Sequence, residues 1–162
     1  MRDHRPVTNR TGNGHLLDDV SKRIIEQLQE DGRRPYAAIG KAVGLSEAAV
    51  RQRVQRMLDA GVMQIVAVTD PLQVGFSRQA MIGVRAEGDL SAVADRLAEM
   101  PEVDYVVVTA GSFDLLVEAV CEDDDALLEL ISSRIRTVTG VRSTETFVYL
   151  KLRKQLYNWG TR

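Results

Sequence analysis

Apolar residues in the first half of the chain recur at helical spacing in three short segments. In "LLDDVSKRIIEQLQEDG" they return every three or four positions, which predicts a first helix that ends at the glycine. "PYAAIGKAVG" predicts a second, shorter helix closed by Gly44 in a left-handed cap, and Ser46 then caps a third helix over residues 47–58. "VMQIVAVTD" is rich in β-branched residues and predicts a hairpin or strand, a small wing beside the helices.

Beyond Gln79 the pattern changes to alternating strands and helices. The segments are, in order, "QAMIGVRA", "LSAVADRLAEMP", "VDYVVVTA", "LLVEAVC", "DDALLELISSRIRTVTG" and "VRSTETFVYLKL". This βαββαβ order predicts a ferredoxin-like sandwich, in which an antiparallel sheet carries both helices on one face. The predicted fold class is α+β, with an N-terminal winged helix-turn-helix domain and a C-terminal ferredoxin-like domain.

The same patterns divide the chain into five parts. They are a disordered leader (1–15), a helix-turn-helix domain with its hairpin or wing (16–70), a linker (71–75), the ferredoxin-like domain (76–152) and a C-terminal tail (153–162). Charge supports a division into halves with different partners, because residues 1–70 carry a net charge of +2 and residues 71–162 carry −4.

Composition narrows the class of protein. The chain has 162 residues, of which 44% are hydrophobic and 27% charged, as in ordinary soluble domains. It contains no run of the ~20 apolar residues that a membrane helix needs, and its N-terminus lacks the apolar core of a secretory signal. We therefore expect a cytoplasmic protein with no membrane partner.

Few side chains offer catalytic or metal-binding chemistry. Cys121 is the only cysteine, and His4 and His15 are the only histidines. The acidic run Glu122–Ala126 precedes a helix, where carboxylates favour the positive helix end and solvent. No phosphate-binding loop or nucleotide fingerprint is present. We expect no enzyme, no catalytic residue, no metal site and no cofactor.

The third helix has a face suited to DNA. Its core stripe is Val50, Val54, Met57 and Leu58, and the opposite face carries amides, guanidiniums and small alanines. Amides and guanidiniums can bond base edges or phosphates, and alanine permits close approach to the groove. The alternative is an ordinary solvated, arginine-rich face. The residues predicted to lie at or near bases are Ser46, Ala48, Ala49, Gln52 and Arg53, with Gln55 on the same face and Arg51 and Arg56 assigned to phosphates.

The chain resembles the Lrp/AsnC family of transcription regulators in several stretches. The first matching stretches are "LDDVSKRIIEQLQEDGR", "IGKAVGLSEAAVRQRVQRMLDAGVMQ" and "DPLQVG". "PEVDYVVVTAGSFDLL" and "TVTGVRSTETFVYL" match the second domain, so that the resemblance extends from Leu16 to Lys151. It implies a sequence-specific DNA-binding regulator whose C-terminal domain, of the RAM type, assembles the oligomer and senses a small molecule, usually an amino acid.

The resemblance places an effector at the turn "TAGSFD". Backbone N–H groups of such a turn can hold a carboxylate, Gly111 permits close approach, and Asp114 can pair with an ammonium group. The family commonly has an acidic residue at Ser112 and an apolar one at Arg136, so the effector's identity stays open. The predicted effector residues are Val108, Thr109, Gly111, Ser112, Phe113, Asp114, Arg136, Thr146 and Val148.

The resemblance also implies a homodimer built through the sheets, often extended to a tetramer of dimers. A dimer presents two reading helices to half-sites of double-stranded DNA about one helical turn apart. Two other functions remain open. One is a metabolite-sensing module that acts through protein contacts without DNA. The other is an enzyme like the tetrapyrrole-processing decarboxylases of similar layout, which the scarcity of histidine disfavours.

Overall fold

The computed structural model describes residues 17–161, which form two compact units. One comprises the chain up to Ala67 together with the segment from Lys154 onward, and the other is Val68–Arg153. The leader predicted for residues 1–15 lies outside the described residues. Each unit has its own hydrophobic core, and each is described by itself.

The N-terminal unit contains the three predicted helices. They are α1 (Asp19–Glu30), α2 (Tyr36–Val43) and α3 (Glu47–Asp59). The carboxylate of Asp18 caps α1 by accepting the Ser21 N–H at 2.8 Å, and the Ser46 hydroxyl caps α3 by accepting the Ala49 N–H at 3.2 Å. The core is formed by Ile24, Ile25, Leu28, Ile39, Val43, Val50, Val54 and Met57.

Two glycines shape the turn between α2 and α3. Gly44 ends α2 with a φ of +79°, a left-handed conformation that suits glycine. Gly40 lies against the turn itself, since a Cβ at this position would be 2.5 Å from the carbonyl oxygen of Leu45. This close approach brings the start of α3 against α2, as a helix-turn-helix requires.

The predicted wing is absent. Residues 62–70, all of which are described, form no strand or hairpin. Ile65, Val66 and Val68 are exposed along this segment. A strand exists only when another strand pairs with its backbone, and no segment of the described chain does so here. The prediction rested on β-branched composition, which cannot supply that partner.

The C-terminal unit has the predicted βαββαβ order. Its elements are β1 (Arg78–Ala86), α4 (Leu90–Ala98), β2 (Val103–Val108), β3 (Leu115–Cys121), α5 (Asp124–Glu129) and β4 (Val141–Val148). The strands pair antiparallel in the order β2-β3-β1-β4, which leaves β2 and β4 at the edges. The α+β class and the ferredoxin-like topology are confirmed.

The second helix of this unit changes its winding before it ends. After α5 the chain continues as a π-helix (Leu130–Arg134) and a 3-10 turn (Ile135–Thr137), where the sequence predicted one regular helix. Leu127, Leu130 and Ile135 remain buried through these changes, whereas Leu128 is exposed.

The sheet has a covered face and an open face. The covered face contributes alternate residues such as Ala80, Ile82 and Val84 to the core with the two helices, and Cys121 is also buried there. Burial raises the pKa of the Cys121 thiol, which keeps it protonated. The intervening residues, among them Gly83 and Arg85, belong to the open face.

Two connecting segments complete the described chain. The region predicted as a linker contains a 3-10 turn, Pro71–Gln73, whose first N–H groups are capped by Asp70. Residues 149–161, after β4, have no regular secondary structure. Among the described residues, none of the helices combines the length and apolar character needed to cross a membrane.

Candidate nucleic-acid interface and effector turn

The outer face of α3 is exposed along its whole length. Val50, Val54 and Met57 are buried, as the sequence predicts. The predicted DNA-contacting residues on the opposite side are solvent-exposed, apart from the half-buried Ala49 and Arg53; the exposed set is Ser46, Ala48, Arg51, Gln52, Gln55 and Arg56. The structure therefore brings the predicted reading residues onto a single accessible surface.

These exposed side chains differ in the contacts that they make with other residues of the chain. Arg51 pairs with Glu47 at 2.6 Å and lies over the ring of Tyr36, with its guanidinium carbon 5.3 Å from the ring centroid. The Gln55 amide donates to Asp59 at 2.8 Å. Gln52, in contrast, makes no side-chain hydrogen bond to any described residue, so its amide is free to bond another molecule.

Arg53 is directed into the protein. Its guanidinium donates to both carboxylate oxygens of Asp18, at 2.9 and 2.8 Å, and to the Ser21 hydroxyl at 3.0 Å. Only 29% of the Arg53 side chain is exposed. The contacts join α3 to the cap of α1, and we call this arrangement the Asp18–Arg53 clasp. Sequence reasoning missed it because the two residues are 35 positions apart.

The clasp stabilises the ionised form of Asp18. Hydrogen bonds from the Ser21 side chain and backbone, and then the interaction with Arg53, lower the pKa of Asp18 from 3.8 to about 2. Asp18 therefore stays charged at every physiological pH. Its carboxylate accepts the Ser21 N–H at the start of α1 and at the same time binds the Arg53 guanidinium of α3.

The predicted effector turn, residues 109–114, is fixed by its own hydrogen bonds. The Thr109 N–H donates to the carbonyl of Asp114, and the Thr109 hydroxyl donates to the carbonyl of Phe113. One carboxylate oxygen of Asp114 accepts the Ala86 N–H at 2.8 Å. The Asp114 N–H in turn donates to the carbonyl of Val84. The turn is thereby joined to the end of β1.

Phe113 packs over the open face of the sheet. A Cβ at Gly83 would be 2.7 Å from the Phe113 ring, so the glycine provides the space that the ring occupies. The Arg85 guanidinium carbon lies 4.6 Å from the centroid of this ring, and its Nε donates to the Ser112 carbonyl at 3.0 Å. Phe147 meets the ring edge-on, with centroids 6.1 Å apart.

Gly83 and Arg85 were not predicted as site residues. The isolated glycine in the strand "MIGVRA" was a usable signal, because glycine inside a strand often marks a close approach. Gly111, which was predicted, is unlike Gly83: a Cβ there would meet no atom within 4 Å. The fold of one chain thus does not require glycine at 111.

The remaining predicted effector residues are spread over the sheet of one chain. Val108 lies at the end of β2, whereas Thr146 and Val148 lie on β4, at the opposite edge of the sheet. Arg136 donates to the Thr144 hydroxyl at 2.9 Å and is exposed. Two intervening strands separate the edges, a distance of roughly 14 Å at ~4.8 Å per strand spacing. Within one copy, Val108 and the predicted residues of β4 therefore lie at opposite edges of the sheet.

A cleft of about 800 Å³ lies elsewhere in this unit, between α4 and the chain from Ser133 to Gly140. None of the predicted effector residues lines it. Its two arginines are engaged, Arg96 with Glu99 and Arg134 with Glu102. Among the described residues there is no group of three or more histidine, cysteine or acidic side chains that could hold a metal ion.

Both domains of the chain match known protein families. Residues 17–58 match the AsnC-type helix-turn-helix domain, and residues 76–162 match a C-terminal dimeric alpha+beta barrel domain of AsnC-type regulators. An HTH-type transcriptional regulator of Pyrococcus furiosus is 34% identical over 147 residues, which cover 90% of this chain and 97% of the relative.

Solved structures agree with these matches. The structure of Escherichia coli AsnC superposes with a TM-score of 0.74 at 26% identity, covering 88% of this chain and 98% of AsnC. A Neisseria meningitidis transcriptional regulator, solved as its L-Met complex, gives a TM-score of 0.74 at 27% identity and covers 88% of this chain and 95% of its own.

The fold and the exposed face of α3 define a helix-turn-helix DNA-binding protein with a ferredoxin-like C-terminal domain. The sequence and structural matches are more specific, because they cover both domains in the same order. The chain belongs to the Lrp/AsnC family, and it is a transcription regulator with a DNA-binding helix-turn-helix domain and an AsnC-type effector domain.

Proposed function

We propose that this regulator reads its DNA target chiefly through Gln52, in the middle of the outer face of α3. The observation that carries this proposal is that Gln52 is exposed and its amide has no partner in the described chain. A free amide can bond adenine bidentately in the major groove. Ser46, Ala48 and Ala49, at the start of α3, are small residues that permit close approach of the helix to the bases.

The neighbouring cations have different roles in this proposal. Arg56 contacts phosphate, since its side chain makes just one hydrogen bond to the described residues, a long one of 3.4 Å to the Gln52 carbonyl. When DNA binds, Arg51 leaves Glu47 and contacts a phosphate. Gln55 lies on the same exposed face of α3. Arg53, first expected near the bases, is reassigned as a positioning residue, because the Asp18–Arg53 clasp already uses its guanidinium.

The C-terminal domain senses an amino acid at residues 109–114. Asp114 offers an ammonium group its second carboxylate oxygen, which accepts no hydrogen bond from the described residues. The free space beside Gly111 admits a ligand. The N. meningitidis relative was solved with L-Met, which supports this ligand class for the family's fold. The other predicted residues, Val108, Arg136, Thr146 and Val148, complete the site from other copies of the chain.

The chain works as a homodimer that associates further into a tetramer of dimers. The sheet has two unpaired edges, β2 and β4, and edge strands favour pairing or coverage. Large apolar side chains are also exposed, among them Ile65, Val66 and Phe147. We further propose that the protein is cytoplasmic and is not an enzyme, in keeping with relatives that are transcription regulators.

Selection from a random duplex library tests the DNA-binding function. The full-length protein is immobilised, and bound duplexes are amplified and sequenced over successive rounds. We expect a pseudopalindromic sequence to be enriched, with half-sites about one helical turn apart. A protein that assembles but enriches no sequence would favour the alternative of a sensing module acting through protein contacts.

Calorimetry with the twenty amino acids tests the sensing function. We expect at least one to bind the assembled protein, with Asp114→Asn binding more weakly because the ammonium loses its charged partner. Asp125→Asn serves as the matched control, since it removes a carboxylate of the same unit at the start of α5, outside the turn. Binding that is equally tight in Asp114→Asn would contradict the role given to Asp114.

A further inference from the structure

Glu47 places a carboxylate at the N-terminal end of α3. It is the first residue of the helix, directly after the Ser46 cap, and its side chain is 50% exposed. The other acidic residue of α3, Asp59, lies at the opposite end of the helix. The N-terminal residues of a recognition helix are the ones that contact base edges. A carboxylate in that position is repelled by the phosphates unless a hydrogen-bond donor compensates for its charge.

In the protein without DNA, the compensating donor is Arg51. Its guanidinium donates to the Glu47 carboxylate at 2.6 Å, one helical turn further along α3. The pair is open to solvent, with 65% of the Arg51 side chain exposed. Exposed ion pairs of this kind are weak, because water screens the attraction between the charges. A DNA phosphate therefore competes effectively with Glu47 for the guanidinium.

Tyr36, the first residue of α2, gives Arg51 a second contact. The guanidinium carbon of Arg51 lies 5.3 Å from the centroid of the Tyr36 ring, within the range of a cation–π interaction. A guanidinium stacked on a ring keeps its in-plane N–H groups available to an anion. Arg51 can thus bind a phosphate while it stays near Tyr36. When Arg51 does so, the Glu47 carboxylate loses its donor.

The major groove offers such a carboxylate two kinds of donor, the N4 amino group of cytosine and the N6 amino group of adenine. Beside its amino group adenine also presents N7, an acceptor that repels a carboxylate, whereas cytosine presents no acceptor on this edge. Cytosine is therefore the base that suits Glu47. Gln52 lies five positions further on, about 7.5 Å along the helix axis, so the two side chains reach different base pairs.

We propose that Glu47 is a second base-reading residue, whose carboxylate accepts a hydrogen bond from the N4 amino group of a cytosine once Arg51 has moved to a phosphate. The proposal rests on the DNA-reading function proposed above and extends it. It implies that each half-site contains a C·G pair read by Glu47 in addition to the A·T pair read by Gln52.

Selection from the random duplex library, repeated with two variants of the full-length protein, tests this proposal. Glu47→Gln keeps the length of the side chain but removes its charge. Glu30→Gln is the matched control, because Glu30 forms the equivalent exposed ion pair on α1, with Arg34 one turn further along at 3.0 Å. Fluorescence anisotropy then measures binding to four duplexes that differ only in the base pair assigned to Glu47.

We expect the wild-type protein to bind the cytosine duplex about five- to 150-fold more tightly than the other three. Glu47→Gln should lose this preference and favour adenine at the same position, because an amide bonds N6 and N7 together. The preference at the position read by Gln52 should not change. Glu30→Gln should give the wild-type sequence profile.

The outcomes separate this proposal from the one on which it rests. A wild-type protein that enriches no sequence contradicts the DNA-reading function itself. If the wild-type protein enriches a sequence and Glu47→Gln enriches the same one, only the role of Glu47 is overturned. This holds even if Glu47→Gln binds more tightly, because the carboxylate would then only repel the phosphates. A purely structural role at the start of α3 would likewise alter stability or affinity and leave the base preference unchanged.

Discussion

The reading helix and the effector turn are both exposed, but they are built in opposite ways. On α3 the central side chain, Gln52, makes no side-chain hydrogen bond within the part of the chain that the structure describes. In the turn, Phe113 and Asp114 both contact residues of the same chain, Gly83 and Ala86 respectively. Under the proposed function, the reading surface is therefore complete in one chain, whereas the turn needs other copies of the chain to complete its site.

This difference has a physical basis. A helix displays neighbouring residues on one face, so eight nearby positions in the sequence suffice to build a surface for DNA. A strand pair sends alternate residues to opposite faces, and the two edges of a four-stranded sheet lie far apart. The amino-acid site proposed above draws on residues from both edges, and under that proposal sensing depends on assembly.

The largest effect is expected for Gly40→Ala, which disturbs the packing of α2 against the turn that leads into α3, the reading helix. The new Cβ would lie 2.5 Å from the Leu45 carbonyl oxygen, and backbone must shift to relieve the overlap. We expect a loss of about 3 kcal/mol or more in stability and loss of specific DNA binding. Chemical denaturation and anisotropy measure these effects.

Gly32→Ala is the matched control, because its nearest atom, the Leu28 carbonyl oxygen, would lie at an ordinary 3.8 Å. It should leave stability within about 0.5 kcal/mol of wild type. Equal effects of the two substitutions would mean that the contact between Gly40 and the turn does not determine the geometry of the helix-turn-helix.

A smaller effect is expected for Gly83→Ala, which disturbs the packing of Phe113 in the effector turn. The Phe113 ring must move to admit the new methyl group, and such overpacking costs about 1–3 kcal/mol. We expect weaker amino-acid binding by calorimetry, with unchanged DNA affinity in the absence of ligand. Gly111→Ala, where no atom lies within 4 Å, should keep the stability of the wild type. Equal loss of stability in both variants would contradict the packing described for Phe113.

The smallest of these effects concerns the Asp18–Arg53 clasp. Asp18→Asn keeps a good helix cap but removes the charge that Arg53 binds. Because the pKa of Asp18 is about 2 in the folded protein, below its ordinary 3.8, the ionised carboxylate stabilises the fold fully above about pH 4. That contribution is lost as the pH falls through about 2. We expect the variant to melt a few degrees below wild type at pH 7, with the difference disappearing toward pH 2.

Asp89→Asn is the control for this prediction. Asp89 caps α4 but pairs with no cation, so its replacement should change the melting temperature less at pH 7. Arg53→Ala gives a separate check on DNA. If Arg53 only positions α3, the substitution should weaken binding to all DNA sequences alike. A changed sequence preference would instead indicate that Arg53 contacts bases.

The sequence predicted features that depend on near neighbours. The Ser46 cap, the left-handed Gly44 and the buried stripe of α3 each involve residues a few positions apart, and all three are confirmed. The order of strands and helices in the second unit also follows from local periodicity. Features that join distant segments were not predictable in this way.

Three particular cases show the limit. The wing failed because residues 62–70 have the composition of a strand but no partner strand in the described chain. The contact of Arg53 with Asp18 was missed because helical periodicity could not identify a partner 35 positions away. Gly83 was overlooked because its purpose appears only when the turn folds back and places Phe113 above it.

The most direct test of the central claim compares Gln52→Ala with Gln55→Ala on the library-selected duplex and its scrambled counterpart. Both variants remove an exposed amide from α3, but the Gln55 amide is already bonded to Asp59. We predict that Gln52→Ala loses about 1–3 kcal/mol of preference, roughly five- to 150-fold, while Gln55→Ala stays near wild type. Undiminished preference in Gln52→Ala would contradict the assignment of Gln52 as the principal reader of the DNA sequence.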